Sequence, residues 1–458
     1  MRHPHASIEN LYYRNDITVT DLNSGQPVVL PQRLLGTYPQ RQERKIMQRI
    51  PVLGGRINAL QWRAIVQVAR RFSRGTPLHL TTRQDIELHD ISQEDIGAVY
   101  QLLNTAGLNT FGAGGDCVRN ITICPGCEFH EGAFDVRSIA KLTREVLFSS
   151  PVLLSLPRKF KISFSGCTKA CARPFINDLG FAANADGTFR AIGAGSLGPR
   201  PQLGMELYPA LTTQEVVQLS AAALEMFAER GDRQNRRKAR LRHVRQKLGD
   251  KEFHSELHRR FEKIKQTLSV PEVKLAAAKV NCPYQTTLQF VTGEMAPDDA
   301  ESLADFCEKN NIVMRINLTH GMELFSDKPI ELPAELSKYE NLPCIVACPG
   351  NDTCTNGLTN CRKLALRLAE QLHVPEWKDK TIAISGCPNN CAQSAVADVG
   401  LTGCVKTIDD QRQEAYQVFV GGGCGRNDTL AEMRETVSAE QAPGKIKKFV
   451  EKQGLPPL

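Results

Sequence analysis

No run of about 18 or more residues in this 458-residue chain is continuously apolar, which excludes a transmembrane helix. The opening segment, MRHPHASIENLYYRND, lacks the apolar centre of a secretory signal. A cytoplasmic chain with no membrane partner is therefore expected. That expectation changes how the fifteen cysteines are read. In a reducing compartment they argue against a disulfide framework, and clustered cysteines are more often metal ligands or redox groups. Nucleotide signatures are missing too: Gly112-x-Gly114-Gly115 does not open a Rossmann unit, so no flavin or nicotinamide site is expected. The chain also lacks the C-x2-C-x2-C run of bacterial ferredoxins and any zinc-finger or helix-turn-helix signature.

What is present is a soluble, globular composition with 41% hydrophobic and 23% charged residues. The length suits roughly two to four domains. The net charge of +7 favours anionic ligands or acidic partners without choosing between them.

The cysteines are not scattered. Cys348-Pro-Gly-Asn-Asp-Thr-Cys354 and Cys387-Pro-Asn-Asn-Cys391 give C-x5-C and C-x3-C, the second directly after the apolar run Thr381–Ser385. Four soft thiolates in two close pairs suit an iron–sulfur cluster. A zinc site or buried free thiols are the other accounts, and C-x5-C is wider than the usual spacing of structural zinc knuckles.

Along the chain, residues 1–43 are a polar lead-in with little periodicity. A helix is expected over Asn58–Phe72, a strand over Leu78–Leu88 and a helix near Ile96–Thr105. In a period-2 strand, Arg83 falls opposite Thr82, Gln84, Ile86 and Leu88, and taken alone it reads as an edge-strand arginine in solvent. Ile139, Leu142 and Val146 mark another helix. Pro157–Phe164 alternates, with Phe160, Ile162 and Phe164 toward a core and Lys159 and Lys161 on the opposite face. Glu229–Lys265 is helical in pattern and strongly basic, with nine Arg or Lys between Arg230 and Lys247. It reads as a solvated linking helix, or as a surface for an acidic donor protein or a cofactor's carboxylates. Without interleaved aromatics it does not suit nucleic acid.

An internal repeat organises these pieces. Ser165-Gly166-Cys167, Cys171-Ala172 and Asp178-x-Gly180 recur 220 residues later as Ser385-Gly386-Cys387, Cys391-Ala392 and Asp398-x-Gly400. Two α+β halves packed about a pseudo-two-fold axis follow. In the first half Cys124, Cys127, Cys167 and Cys171 nearly copy the second-half set, with His130 where Cys354 would recur. Relic buried thiols are the simpler account there, and a second cluster or a zinc is the other.

Five motifs carry a resemblance over nearly the whole chain: Leu80-Thr-Thr-Arg-Gln84, Asp116-Cys-Val-Arg-Asn120, Leu156-Pro-Arg-Lys-Phe-Lys161, Cys348-x5-Cys354 and Gly386-Cys-Pro-Asn-Asn-Cys391. Together they resemble the sirohaem- and [4Fe–4S]-dependent sulfite/nitrite reductase family. The resemblance implies an α+β, internally duplicated fold, each half a ferredoxin-like half-domain followed by a sirohaem/iron–sulfur domain. The implied division is an N-terminal extension at 1–43, half-domains at 44–112 and 274–342, and α+β domains at 113–273 and 343–458. It implies that Cys348, Cys354, Cys387 and Cys391 hold a [4Fe–4S] cluster and that Cys391 also bridges to the sirohaem iron. It implies that Arg83, Arg119, Lys159 and Lys161 line the face where sulfite or nitrite binds, with Arg158 and Asn389 as weaker sirohaem contacts. Adding six electrons and removing oxygen as water suits a cage of four cations that holds the anion and relays protons. With no flavin or nicotinamide site, electrons must come from a separate donor, a ferredoxin or a flavoprotein. Sulfite and nitrite use the same cage, so the motifs do not separate them. Two other readings are a non-catalytic iron–sulfur electron carrier and a zinc-stabilised binding module; a carrier has no use for the anion cage.

Overall fold

The computed structural model describes residues 18–20, 27–29, 32–150, 152–279, 281–372, 377, 380–408 and 411–452. The architecture is α+β, and the repeat is plain in two five-stranded sheets of one topology. The first takes strands Thr122–Ile123, Ile162–Ser165, Leu179–Ala183, Phe189–Gly193 and Met205–Tyr208. The second takes Cys344–Ala347, Thr381–Ser385, Val399–Ile408, Gln411–Val420 and Glu432–Ser438. In each, three parallel strands are followed by two antiparallel ones.

The repeated residues make repeated bonds. The Asp178 carboxylate accepts from the Lys161 backbone N–H at 2.8 Å, and Asp398 accepts from that of Thr381 at 2.9 Å. Ser165 Oγ accepts from Ala172 N–H at 3.0 Å, and Ser385 Oγ from Ala392 N–H at 3.1 Å. The glycine of each Asp-x-Gly is fixed by space. A Cβ on Gly180 would run into Pro174, and one on Gly400 into the backbone of Ser394.

Two further sheets join the halves. In one, Glu294–Met295 from the second half adds to Leu78–Leu80, which continues through Asp85–Ser92, Lys45–Pro51 and Thr37–Pro39. In the other, Arg56–Ile57 from the first half adds to Val313–Ile316, followed by Gly321–Ser326 and Tyr284–Gln289. Each sheet thus borrows a short strand from the opposite half. Helix Ala59–Phe72 starts with an Asn58–Gln61 capping box and buries Trp62, Ile65 and Val68. It packs on helix Pro297–Lys309, whose Ala300 carbonyl accepts from the Trp62 indole N–H at 2.7 Å.

The structure corrects several expectations. The strand expected over Leu78–Leu88 is a hairpin, and Arg83 lies in its turn rather than on a strand face. Thr81 organises that turn: its Oγ1 accepts from the N–H groups of Arg83 and Asp85, and Gln84 takes a left-handed φ of 59°. In the alternating segment the regular strand begins only at Ile162, with Phe160 bridging to Val118, although Phe160, Ile162 and Phe164 are fully buried as expected. The basic stretch is not one linking helix. A helix ends at Arg230, a 3-10 turn covers Arg236–Lys238, and helices Leu241–Leu248 and Asp250–Thr267 are separated by Gly249 at φ 80°. The end of the polar lead-in contributes buried Leu34 and Leu35 and the edge strand Thr37–Pro39; the part before residue 18 lies outside the described residues. The last helix is Ala442–Lys452, with Gln453 outside the described residues.

Trp62 ties the halves through one buried hydrogen bond. Trp62→Phe should lower stability by about 1–3 kcal/mol, because it leaves the Ala300 carbonyl short of a donor. Urea unfolding followed by circular dichroism measures this, and an unchanged midpoint would contradict the assignment.

Candidate active site

The second-half cysteines sit where two parallel strands end. Cys348 follows strand Cys344–Ala347, and its N–H donates to the Ile384 carbonyl of the neighbouring strand at 3.0 Å. A 3-10 turn, Gly350–Asp352, leads to Cys354, whose N–H donates to the Gly350 carbonyl at 3.1 Å. From the other strand, Gly386 N–H donates to Cys348 Sγ at 3.1 Å, which aims that thiol at the loop carrying Cys387 and Cys391. Asn390 and Gln393 flank Cys391 with left-handed φ values of 58° and 69°. These are costly for residues with a Cβ and persist only where the surroundings hold them. Here Asn390 Oδ1 accepts from Ala395 N–H at 2.9 Å, and Ser394 Oγ donates to the Leu401 carbonyl. The loop leaves Cys391 exposed, on the wall of a cavity of about 160 Å³.

The thiols resist ionising without a cation. Burial pushes Cys387 up to about 11, and desolvation by the walls of the cavity does the same for Cys391 although its side chain faces the opening; each also feels Cys348 and Cys354. Cys348 is pushed well above the usual thiol range by a hydrogen bond with Cys361 and by burial. Its Sγ lies 3.9 Å from that of Cys361, which is fully buried. Among the described residues no three His, Cys, Asp or Glu converge as around one metal ion. A cubane cluster puts a separate iron under each thiolate and so spreads its ligands wider than a single tetrahedral ion does.

Facing Cys391, the same cavity is lined by Arg83, Arg119, Lys159 and Lys161, from three separate segments. Arg83 leaves its turn to donate to Asn177 Oδ1 at 2.9 Å and the Asn120 carbonyl, while its Nε is buried with no partner. Arg119 is held by the Gly115 and Ala113 carbonyls of the glycine-rich turn. No carboxylate pairs with Lys159 or Lys161 among the described residues. Burial lowers Lys159 to about 7, with Arg119 and Arg240 adding repulsion. Burial, Arg83 and Lys159 push Lys161 well below the ordinary lysine value. Arg83 falls to about 10, chiefly by burial. This is positive charge short of counter-charge, and an anion in the cavity would relieve it.

Arg158 and Asn389 do not line this cavity. Arg158 pairs with Asp116 at 3.4 Å, and Asn389 is exposed. Asn390, Gln393, Arg173, Asn177, Arg49, Asp85 and Glu87 line it instead. The repeat could have pointed to Arg173 and Gln393, which are 220 positions apart, both left-handed, and in contact across the pseudo-two-fold axis. The basic stretch also reaches inward. Arg240 forms a buried pair with Asp178 at 2.6 Å, and Arg236 pairs with Asp116 at 2.7 Å.

The first-half cysteines keep the local geometry. Gly166 N–H donates to Cys124 Sγ at 3.1 Å, as Gly386 does to Cys348. A hydrogen bond with Cys127 and burial hold the Cys124 thiol well above its usual range. His130 is exposed, with Nε2 at 3.4 Å from Gln285 Oε1.

Comparison with known proteins agrees with this geometry. The family model described as "Nitrite and sulphite reductase 4Fe-4S domain" matches residues 114–265 and 340–454, and the "Nitrite/Sulfite reductase ferredoxin-like half domain" matches 38–106. The assimilatory ferredoxin-dependent nitrite reductase of Haloferax mediterranei is 30% identical, over 91% of this chain and 81% of its own. The ferredoxin–nitrite reductase of Synechococcus elongatus is 28% identical, over 89% and 86%. The solved structure titled Mycobacterium tuberculosis NirA protein shares the fold with a TM-score of 0.75 and 22% identity, covering 98% of this chain and 90% of that one.

The Asp178–Arg240 pair supports one side of the cavity. Asp178→Ala strands Arg240 and frees the Lys161 N–H, so it should cost about 3–5 kcal/mol. A thermal-unfolding midpoint within a degree of the parent would refute that role.

Proposed function

The chain belongs to the nitrite and sulphite reductase family, and from that we propose that it reduces nitrite or sulfite by six electrons, using sirohaem and a [4Fe–4S] cluster. It is an oxidoreductase by family. No helix among the described residues is long and apolar enough to cross a membrane.

The observation that carries the proposal is one cavity with an exposed cysteine on one wall and four under-compensated cations on the others. Cys348, Cys354, Cys387 and Cys391 are the proposed cluster ligands, with Cys391 shared with the sirohaem iron. The residues suit an acidic tetrapyrrole and a small anion. Arg83 Nε is buried without a partner, and Asn177, Asn390 and Gln393 add polar groups to the cavity wall. Arg158 and Asn389 are kept as contacts at the outer edge of the tetrapyrrole site. When bound, the two cofactors supply single electrons and an iron that takes the anion. Arg83, Arg119, Lys159 and Lys161 orient the anion, stabilise its growing negative charge and hand protons to departing oxygen. Nitrite takes up eight protons with its six electrons to give ammonium and two waters; sulfite takes seven to give hydrosulfide and three waters.

The curated relatives are named as ferredoxin-dependent nitrite reductases, which supports nitrite as substrate and a ferredoxin as donor. Sulfite is a second reading, favoured by the Lys159–Lys161 pair beside two arginines: four cations suit a divalent anion more than a monovalent one. A flavoprotein donor is the alternative to ferredoxin. Either donor docks through surface charge, and its affinity should fall as salt rises. A non-catalytic electron carrier would not need the four cations.

The deciding experiment is the visible spectrum of anaerobically purified protein, before and after dithionite and then with each anion. Sirohaem bands that shift with nitrite or sulfite are expected, and turnover on both ranks the substrates. An iron–sulfur spectrum without tetrapyrrole bands after cofactor supplementation would replace the reductase with the carrier. Iron near about five and acid-labile sulfide near about four per chain are expected for one cluster and one sirohaem; about eight sulfides would add a cluster at Cys124, Cys127, Cys167 and Cys171. Lys161→Met should lower kcat by about 10²–10³-fold while the cluster spectrum stays intact.

A further inference from the structure

The sheet that carries Arg83 has an ionisable face. Along strand Asp85–Ser92, residues Asp85, Glu87 and His89 alternate with buried Ile86 and Leu88, so the three share one side. Across the sheet, Glu87 is in register with Arg49 on one neighbour and His79 on the other, and His79 is in register with Glu294. The two rows cross at Glu87.

They also join two cavities. Asp85, Glu87 and Arg49 line the cavity of the four cations. His89, His79 and Glu294 line a second one of about 350 Å³, which reaches exposed Gln42 and Arg362 and so opens to solvent. Glu87 stands between them, with Oε2 at 3.6 Å from His89 Nε2 and Oε1 accepting from Arg49 at 2.7 and 2.9 Å. We propose that His89, Glu87 and Asp85 form a proton-feeding row that supplies the anion cavity from solvent through the second cavity. The proposal rests on the reductase reading above, since that reaction consumes seven or eight protons in a site walled by cations.

A purely structural network should be internally satisfied. This one is not: His89 Nδ1 and Asp85 Oδ1 are buried without partners, leaving unused hydrogen-bond capacity on two members of the row. The surrounding charges set the two carboxylates of the row apart. Arg49 keeps Glu87 below the usual carboxylate range, so Glu87 is an anion facing the His89 imidazole. Burial raises Asp85 to about 6 against the pull of Arg49 and Arg83, so it can hold a proton close to neutral pH. At the entry, Asp90 and Lys45 sit beside His89, and Arg362 pairs with Glu294 at 3.0 Å. His79 is buried between His89 and His320, with ring centroids at 6.1 and 5.1 Å, and burial favours its neutral form. Each transfer moves one proton: His89 imidazolium gives its Nε2 proton to Glu87, Glu87 passes it to Asp85, Asp85 releases it into the anion cavity, and solvent reprotonates His89. The electrons come from the external one-electron donor.

The test uses the holoenzyme reduced by methyl viologen, which removes donor docking from the assay. His89→Ala should lower kcat about ten- to a hundred-fold with KM nearly unchanged, most strongly at high pH. Added imidazole, which the second cavity has room for, should restore most of the loss. Independently of turnover, histidine hydrogen–deuterium exchange read by mass spectrometry should show His89 exchanging faster than His320. In Glu87→Gln that exchange should change, because the carboxylate facing the His89 ring is gone. A His89→Ala enzyme with the parent's pH profile and no response to imidazole would overturn the row, as would His89 exchange indifferent to Glu87→Gln. A parent enzyme that reduces neither anion would overturn the reductase reading first, and the row as its proton supply with it.

Discussion

Positive charge buried without enough counter-charge is the constraint on which this structure turns. Arg83, Arg119, Lys159 and Lys161 meet in one cavity, and beside them Asp178 is already committed to Arg240 and the Lys161 backbone. Such an arrangement costs stability in the ligand-free protein. It persists because each cation is anchored from behind. Arg119 is gripped by carbonyls of the glycine-rich turn, and Arg83 by Asn177 and Asn120. The lysines ride on a segment whose alternate residues, Phe160 and Ile162, are locked in the core. The same excess that costs stability holds an anion when one arrives, beside thiols that burial keeps from ionising alone.

Duplication explains how two chemistries came to face each other. Both halves preserve the strand ends, the Asp-x-Gly turn and the glycine N–H aimed at a cysteine. The first half supplies the cations and the second the C-x5-C pair, so neither copy holds a whole site. Arg173 and Gln393, at matching positions, meet on the axis between them. A backbone repeated almost unchanged thus carries side chains that have parted in role.

Much of this was legible from sequence because the information is local. The cysteine pairs, the alternation around Lys159 and Lys161, and the 220-residue repeat each lie within a short window or at a fixed spacing. Arg83 shares a cavity with Arg119, Lys159 and Lys161, but alternation alone puts it on a strand, since the pattern continues through a turn that Thr81 organises. Arg49, Glu87 and Asn177 could not be found this way. They reach the cavity from segments far apart, in positions where a charged or amide side chain reads equally well as surface. The basic stretch misled in another way. Its density of charge suggests one solvated helix, whereas Gly249 and the 3-10 turn break it and Arg240 turns inward to Asp178.

The exchange of short strands bears on how the chain is made. The sheet built from Thr37 to Ser92 presents Leu78–Leu80 as a bare edge until Glu294–Met295 arrives. A ribosome delivers that strand only after some two hundred further residues. Throughout that interval the nascent first half carries an unpaired edge, the kind of surface that seeks the wrong partner. The polypeptide must therefore extend to Met295 before one sheet can close and to Ser326 before the other can.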